Sequence, residues 1–515
     1  MSYKMLAYFA FFISIGYLVY QLFPKKYKYL VLLFFSYLFY IFSNGWLTIL
    51  LIVTTLSIYL IALWISKVSE EFKVKKDELS KEERKEFKKV IGKKKKKILV
   101  LGIIFNLLFL IILKYLNFIL GSIGSLASLC GLELNIKVLP LLMPLGISFY
   151  TLEAISYIVD VYRGKYEAEK NFFKIALFLG FYPALIEGPI SRYDEFGQDV
   201  TAPHEFNYKN MCHGLQLIAW GLIKKIVMAD RMNIIVSAVF SNYKEYSGIV
   251  IVFAVIVYTF QIYTEFSGII DIVTGILEMY GIKATENFKR PLFSRNVDEF
   301  WRRWHMSLGA WMRDYIFYSI SFSKPISNLQ KKLKGKVSSF LEGFLPIAVS
   351  LFFVWLCNGL WHGASFKYIF YGLYYYVVMM IGQLIKPKKP LDNKYIKILQ
   401  IVRTFILVNI GMLIFRADTI QASFKMLGSI FQSGKVNLVS TEVIDIYDLS
   451  IIFVSILTVL IVDFIQEKGI KIREYIDSKP LAFRWTVYIL AIFVVIIFGA
   501  YGDGYVPVDP IYGQF

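Results

Sequence analysis

The chain has 515 residues, of which 57% are hydrophobic and only 18% are charged. A soluble chain of this length would need several charged domain surfaces, and a disordered chain would need low hydrophobicity, so the composition excludes both classes. Long apolar runs recur from end to end, as in proteins that cross the bilayer repeatedly. The sequence therefore predicts an all-α polytopic membrane protein.

The net charge of +19 is concentrated in short segments between the apolar runs. In a soluble protein this excess would indicate nucleic-acid binding, but here it follows the positive-inside rule of membrane proteins. The lipid bilayer is the expected partner, and nucleic acid is not. The three cysteines are far apart and form no CxxC pair, so no disulfide framework or metal site is predicted.

The apolar runs give the candidate membrane spans in chain order. The first run lacks a basic leader and a small-residue cleavage site, so it is expected to be a retained span. The run 172–187 ends in Pro183 and Gly188-Pro189, which is typical of a broken or re-entrant helix. About 10–12 true crossings are expected among the candidates 5–22, 29–43, 46–65, 98–116, 140–160, 172–187, 211–223, 248–268, 343–361, 366–385, 398–416, 450–466 and 481–499.

The segment 66–97 predicts the orientation of the chain. It holds 14 Lys and Arg against seven acidic residues, a net charge of +7. Such a segment stays in the cytoplasm near anionic head groups, and a solvated charged helix is compatible with this placement. Because three spans precede it, the N-terminus is expected outside, and alternation of the later spans puts the C-terminus outside as well.

These features suggest one integral membrane domain over 1–515. Its predicted parts are the N-terminal spans 1–65, the cytoplasmic basic loop 66–97, a core over 98–385, and the C-terminal spans with an outward-facing tail over 386–515. The sequence contains no P-loop, GxGxxG or HExxH motif, which argues against an ATP-driven pump and a zinc protease. A transporter with hidden inverted repeats stays open as an alternative.

His362 lies in Leu360-Trp361-His362-Gly363-Ala364, which joins the apolar runs 343–361 and 366–385. Basic segments flank the pair, so the sequence predicts a hairpin whose turn lies away from the cytoplasm. Asn358 precedes His362 by four residues and shares its helical face, and the glycines at 359 and 363 permit close backbone approach. An imidazole here can remove a proton from a hydroxyl, or it can simply bond a backbone carbonyl between helices.

A second polar segment, 299–315, combines tryptophan, arginine and His305. Its aromatic positions recur at steps of three and four and predict a helix with one aromatic stripe, formed by Trp301, Trp304, Leu308 and Trp311. Arg302 and Arg303 lie off the stripe. An anchor helix at the membrane interface explains the tryptophans and arginines but not His305, whereas an arginine pair also suits a phosphate-bearing thioester.

Three acidic residues interrupt other apolar stretches, namely Glu187, Glu265 and Asp271. Each could orient a histidine or line a pore, and each could equally be a structural ion pair or a helix cap. His204 is expected in a surface loop, and no role is assigned to His213.

Four segments together resemble the membrane-bound O-acyltransferases, in particular the bacterial branch of the alginate O-acetyltransferase membrane subunit and the teichoic-acid D-alanyl transferase. The segments are PLGISFYTLEAISYIVDVYRG, LIEGPISRYDEF, NFKRPLFSRNVDEFWRRWHMSL and NGLWHGASF. The similarity runs from about Pro140 to His362 and is weaker in the flanking spans. None of the segments would be specific alone.

The resemblance implies a ring of transmembrane helices with re-entrant segments around a central tunnel. A cytoplasmic thioester, acetyl-CoA or an acyl carrier protein, would donate its acyl group to a hydroxyl on the outer side, with no bound cofactor. His362 matches the family's general base or orienting group, and His305 matches its second histidine on the donor side. Asn358 could stabilise the oxyanion, while the other polar and aromatic candidates would support or line the tunnel.

The C-terminal residues Pro510-Ile511-Tyr512-Gly513-Gln514-Phe515 resemble the aromatic tail of this branch. Tyr512 matches a tyrosine that is proposed to carry the acyl group, although Gly513 replaces the usual aromatic residue. A tail that packs against the outer funnel is the alternative.

The function expected from the resemblance is transfer of an acetyl group from acetyl-CoA to an exported polysaccharide, directly or through an extracytoplasmic acetyltransferase, in the plasma membrane. D-alanyl transfer from a carrier protein to teichoic acid is the alternative within the family. Outside it, the alternatives are a polysaccharide or lipid transporter or flippase, and a scaffold of an export complex.

Overall fold

The computed structural model describes residues 3–134, 137–185, 187–385, 393–436, 438, 444–501 and 505. Within these ranges the chain is helical, and the β structure is limited to one isolated bridge between Tyr246 and Lys435. Seven helical stretches of the described chain are long and apolar enough to cross a membrane: Lys25–Lys75, Lys81–Leu129, Gly248–Tyr280, Ser339–His362, Lys394–Arg416, Ile446–Glu467 and Leu481–Phe498. The prediction of an all-α polytopic membrane protein is confirmed, while the ring and its tunnel stay predictions.

The chain divides into two compact units. The first comprises Tyr8–Asn207 with Tyr280–Thr285, and the second comprises Met1–Ala7, Tyr208–Met279 and Glu286–Phe515. The expectation of one domain over 1–515 stays a prediction.

Nine helices precede residue 207 in the described chain. They are α1 (Tyr3–Leu22), α2 (Lys28–Asn44), α3 (Thr48–Lys75), α4 (Lys81–Leu110), α5 (Leu116–Leu129), α6 (Ile147–Arg163), α7 (Phe172–Gly180), α8 (Tyr182–Leu185) and α9 (Gln198–Thr201). A π-helical turn over Ile111–Tyr115 joins α4 to α5.

The basic segment 66–97 is helical over most of its length, as the charged-helix interpretation predicts. Helix α3 runs to Lys75, and α4 begins at Lys81 after a connection of five residues. A capping box starts α4: the Ser80 hydroxyl accepts a hydrogen bond from the Glu83 amide, and the Glu83 carboxylate accepts one from the Ser80 amide. This arrangement satisfies two amides that a helix start leaves unpaired.

The region around Pro183 is broken, as its proline and glycine content predicts. Helix α7 ends at Gly180, and the four-residue α8 follows. The chain after α8 is held by α6, because the buried Glu153 carboxylate accepts a hydrogen bond from the Ser191 amide at 2.9 Å. Irregular backbone of this kind is tolerated at membrane depth only where protein satisfies it.

The second unit carries the remaining helices of the described chain. They are α10 (Tyr208–Leu222), α11 (Asp230–Ser241), α12 (Gly248–Tyr280), α13 (Val297–Arg303), α14 (Met306–Trp311), α15 (Tyr318–Ser321), α16 (Lys324–Leu333), α17 (Ser339–His362), α18 (Phe366–Leu384), α19 (Lys394–Arg416), α20 (Ile420–Gly428), α21 (Ile446–Glu467), α22 (Ile472–Asp477) and α23 (Leu481–Phe498). A π-helical segment over Ile223–Ala229 joins α10 to α11.

Helices α17 and α18 form the predicted hairpin and pack backbone against backbone. A methyl group on Gly359 would overlap the Tyr368 carbonyl oxygen, and one on Gly372 would overlap the Trp355 carbonyl oxygen. Only glycine permits this approach, so the two glycines determine how close the helices lie. The hairpin turn at Gly363 is equally tight, because an added methyl group would overlap the Tyr368 ring.

Candidate active site

His362 is the last residue of α17 and is only 3% exposed. Its ring lies edge-on to Tyr371 and Phe415, with centroids 5.7 and 5.2 Å away. Tyr371 comes from α18 and Phe415 from α19, so three helices enclose the imidazole. The sequence prediction of a histidine at the tip of an apolar hairpin agrees with this placement.

His305 lies at a break between two short helices, and here the sequence interpretation was wrong. The predicted continuous helix over the Trp/Arg segment ends at Arg303, and α14 starts at Met306. His305 has a left-handed backbone with φ of 46°, which is uncommon for residues other than glycine. Its side chain is 2% exposed, and its ring lies edge-on to Phe266 with centroids 4.7 Å apart.

Trp361 contacts both histidines. Its ring centroid is 5.6 Å from that of His305 and 5.0 Å from that of His362. The structure therefore brings the two predicted catalytic residues into contact with the same buried indole. Asn358, one turn before His362, is buried as well, and its Oδ1 has no hydrogen-bond partner among the described residues.

Asn287 is a site residue that the sequence analysis missed. Its Oδ1 lies 3.2 Å from His305 Nδ1 and accepts hydrogen bonds from the Ser307 amide at 3.1 Å and the Ser307 hydroxyl at 2.8 Å. Its backbone carbonyl accepts a hydrogen bond from the Met306 amide. The available signal was an uncharged polar residue just before Phe288, at the start of one of the four segments that carry the family resemblance.

The aromatic stripe is part of the protein core rather than a lipid-facing anchor. Trp304 is buried and stacks on Phe300 at 5.4 Å, with Phe288 edge-on at 5.1 Å. Trp301 packs edge-on to Trp355 and Tyr375, with centroids 5.1 and 4.9 Å away. The anchor-helix interpretation is therefore wrong for these two tryptophans, because their surroundings are protein.

The two predicted arginines have different environments. Arg303 forms ion pairs with Glu299 at 2.7 Å and with Glu467 at 3.0 Å, so it ties α13 to the end of α21. Arg302 is 64% exposed and pairs with Asp298 one turn earlier. An exposed pair of this kind contributes little to stability, so Arg302 remains accessible to an anionic ligand.

Glu265 and Asp271 both lie on α12 and pair with lysines of the π-helical segment. Lys225 bonds Glu265 at 3.0 Å and Asp230 at 2.7 Å, and Lys224 bonds Asp271 at 2.6 Å. The structure thus places these two carboxylates in ion pairs, the structural alternative that the sequence left open.

Glu187 is buried in the first unit, whereas both site histidines belong to the second. His204 bonds the Asp199 carbonyl oxygen, and its backbone carbonyl accepts a hydrogen bond from Lys28 Nζ at 2.7 Å, so it is more enclosed than the predicted loop residue. His213 contacts Asp477 and Glu278. Tyr512 lies outside the described residues.

Comparison with known proteins places both histidines in a recognised domain. Residues 169–410 match the model of the membrane-bound O-acyltransferase family. The chain is 33% identical over 341 residues to the probable alginate O-acetylase AlgI of Pseudomonas syringae pv. tomato, covering 65% of this chain and 61% of that protein.

Two further relatives carry other names. The peptidoglycan O-acetyltransferase of Helicobacter pylori is 27% identical, covering 64% of this chain and 63% of that protein. The teichoic acid D-alanyltransferase of Bacillus subtilis is 29% identical, covering 53% of this chain and 68% of that protein. The chain thus spans less than two thirds of the alginate and peptidoglycan relatives. Over residues 169–410 it is similar to the membrane-bound O-acyltransferases.

Proposed function

We propose that this protein is a membrane O-acyltransferase that transfers an acyl group to hydroxyls of an exported cell-surface polysaccharide. The first candidate for this group is acetyl. The observation that carries the proposal is the pair of buried histidines, His305 and His362, which both contact the Trp361 ring within the residues that match the family model. Buried ionisable side chains at membrane depth are costly and mark functional sites by default. The relatives named as O-acetylases support acetyl as the transferred group.

In this proposal His362 is the general base. It takes the proton of the acceptor hydroxyl as the hydroxyl oxygen attacks the thioester carbonyl carbon. The new carbon–oxygen bond forms and the carbon–sulfur bond breaks. The thiolate then takes up the proton that His362 carries, which returns the imidazole to its neutral state. Asn358 donates to the oxyanion through its amide nitrogen.

The donor is a cytoplasmic thioester, acetyl-CoA or an acyl carrier protein, and Arg302 is the candidate contact for its phosphates because it is exposed. The acceptor, a polysaccharide or an extracytoplasmic acetyltransferase that passes the group on, reaches the site from the other face. This assignment places the protein in the plasma membrane with both termini outside. Tyr512 is proposed to relay the acyl group on the outer side. Full activity in Tyr512→Phe would rule out this role.

D-alanyl transfer is the second candidate, because two relatives are named teichoic acid D-alanyltransferases. It uses the same histidines and differs in the donor, a carrier protein charged with D-alanine. The chemistry at the carbonyl carbon is the same, so the site geometry alone favours neither acyl group.

The test is mass analysis of surface polymers from a deletion strain rescued with the native protein or with His362→Ala. We expect ester-linked acyl groups to be absent in the deletion strain, restored by the native chain and absent again with His362→Ala. Released acetate or D-alanine identifies the acyl group. Native levels of polymer acylation with His362→Ala would instead favour a transporter or a scaffold.

A further inference from the structure

We propose that Asn287 is a positioning residue that holds His305 in one tautomer, with the proton on Nδ1 and a lone pair on Nε2. The tautomer itself follows from the hydrogen bonds around Asn287. Only the role of His305 Nε2 in acyl transfer rests on the proposed function.

The backbone amide of Ser307 identifies the oxygen of Asn287. That amide points at one terminal atom of the Asn287 side chain from 3.1 Å, and the Ser307 hydroxyl lies 2.8 Å from the same atom. A backbone N–H can only donate, so the atom must be the carbonyl oxygen and not the amide nitrogen. The usual ambiguity in the orientation of an asparagine side chain is thereby removed.

The same oxygen lies 3.2 Å from His305 Nδ1. An amide oxygen can only accept, so Nδ1 must carry the proton for this contact to be a hydrogen bond. In the opposite tautomer the Nδ1 lone pair would face the lone pairs of the oxygen. A neutral His305 held in this way therefore exposes its proton-accepting nitrogen at Nε2.

Burial makes the constraint strong. Asn287 and His305 are each 2% exposed, and Ser307 is buried with them. Water cannot readily replace the amide oxygen as the partner of Nδ1, and hydrogen bonds are stronger in such a low-dielectric site.

The backbone holds the two residues in register. The Met306 amide donates to the Asn287 carbonyl oxygen at 2.9 Å, and the Lys289 amide donates to the Arg303 carbonyl oxygen at 2.9 Å. These bonds run along both sides of His305, whose left-handed conformation is retained only where its surroundings fix it. Asn287 thus fixes both the backbone position and the ring protonation of His305.

The tautomer assigns the protons of the transfer reaction. A resting His305 with a lone pair on Nε2 accepts a hydrogen bond or a proton there and cannot supply one. This agrees with the proposed function, in which the departing thiolate takes its proton from His362, which received it from the acceptor hydroxyl.

Nitrogen-15 NMR of the imidazoles in lipid nanodiscs tests the tautomer directly, because Nδ1–H and Nε2–H forms have different ring shifts. The chain has four histidines, so the His305 signals are assigned as those lost in His305→Gln. We expect the Nδ1–H form at His305 in the full-length protein. An Nε2–H form there would overturn the proposal.

Two variants separate positioning from folding. Asn287→Leu should lose the Nδ1–H form and lower the turnover number by about 10²-fold, because His305 in the other tautomer can no longer accept a hydrogen bond at Nε2, with little change in KM. Asn287→Asp keeps an oxygen that accepts a hydrogen bond, so it should keep the proton on His305 Nδ1. This second variant tests the proposal independently if the leucine variant fails to fold. The matched control is Asn409→Leu, because Asn409 is also buried and accepts a bond from the Thr259 hydroxyl.

The control should leave the His305 signals unchanged. An unaltered Nδ1–H form in folded Asn287→Leu would contradict the proposal. The NMR measurement does not depend on turnover, so it tests the tautomer separately from the proposed transferase activity. If the native protein shows the Nδ1–H form but transfers no acyl group, only the transferase assignment is wrong.

Discussion

At the scale of single residues, the site consists of polar groups that are buried among aromatic rings. His362 is enclosed by Trp361, Tyr371 and Phe415, and Asn358 lies one turn earlier on the same helix. An apolar enclosure strengthens any charge interaction that develops during reaction, because little water screens it. Each polar residue there should therefore have a large effect on rate.

Asn358→Ala tests the oxyanion assignment. We expect the turnover number to fall by about 10²–10³-fold, the usual cost of removing one oxyanion donor, while the KM for the thioester changes little. Initial rates with radiolabelled acetyl-CoA in reconstituted vesicles measure both constants. A rate within about twofold of native would remove Asn358 from the mechanism.

Lys225→Met tests the structural role of the buried carboxylates. Removing one partner of a buried ion pair leaves uncompensated charge on Glu265 and Asp230, which we expect to cost about 3–5 kcal/mol of stability. Thermal unfolding in detergent measures the loss, and Lys425→Met on α20 is the surface control. Unchanged unfolding with lost transfer would instead place Lys225 in the reaction.

At the scale of elements, the α17–α18 hairpin positions His362 through its two glycine contacts. Gly372→Ala should push α18 away from the Trp355 carbonyl oxygen and lower both thermal stability and transfer rate. Gly382→Ala is the matched control, because it lies on the same helix with nothing within 4 Å of the added methyl group. Equal behaviour of the two variants would contradict the close packing.

The same elements show what the sequence could and could not predict. The hairpin was predictable because two apolar runs of spanning length flank a glycine-rich turn between basic segments. The break at His305 was not, since the Trp/Arg segment keeps helical periodicity and has no proline or glycine next to His305. The break is held by Asn287, 18 residues earlier in the sequence, and such a long-range partner leaves no local pattern.

The ion pairs of α12 could not be predicted from the sequence for the same reason. Glu265 and Lys225 are 40 residues apart, and the lysine lies on a π-helical segment that propensity does not reveal. The sequence could only state that buried carboxylates need partners. The burial of Trp301 and Trp304 was equally hidden, because a stripe of tryptophans is typical of both interfaces and cores.

At the scale of the whole molecule, the charge distribution predicts the orientation in the membrane. The turn between α2 and α3 should lie outside, and the connection between α3 and α4 should lie in the cytoplasm. Trp46 and Lys76 are exposed residues at these two places.

Cysteine labelling checks this orientation. In a chain whose three cysteines are replaced, Trp46→Cys should react with a membrane-impermeant maleimide added to intact cells, and Lys76→Cys should react only after lysis. The reverse pattern would invert the assigned faces, and with them the donor and acceptor sides of the reaction.

The central claim, that His362 removes the proton of the acceptor, is tested most directly by acyl transfer with purified protein in sealed vesicles. Labelled acetyl-CoA is supplied on the face of the basic segment and polysaccharide on the other, with native protein, His362→Ala and Gly382→Ala compared at equal folded amounts. We expect the native chain and Gly382→Ala to transfer label to polysaccharide hydroxyls, and His362→Ala to be slower by about 10²–10⁴-fold. Transfer by His362→Ala at the native rate would contradict the account.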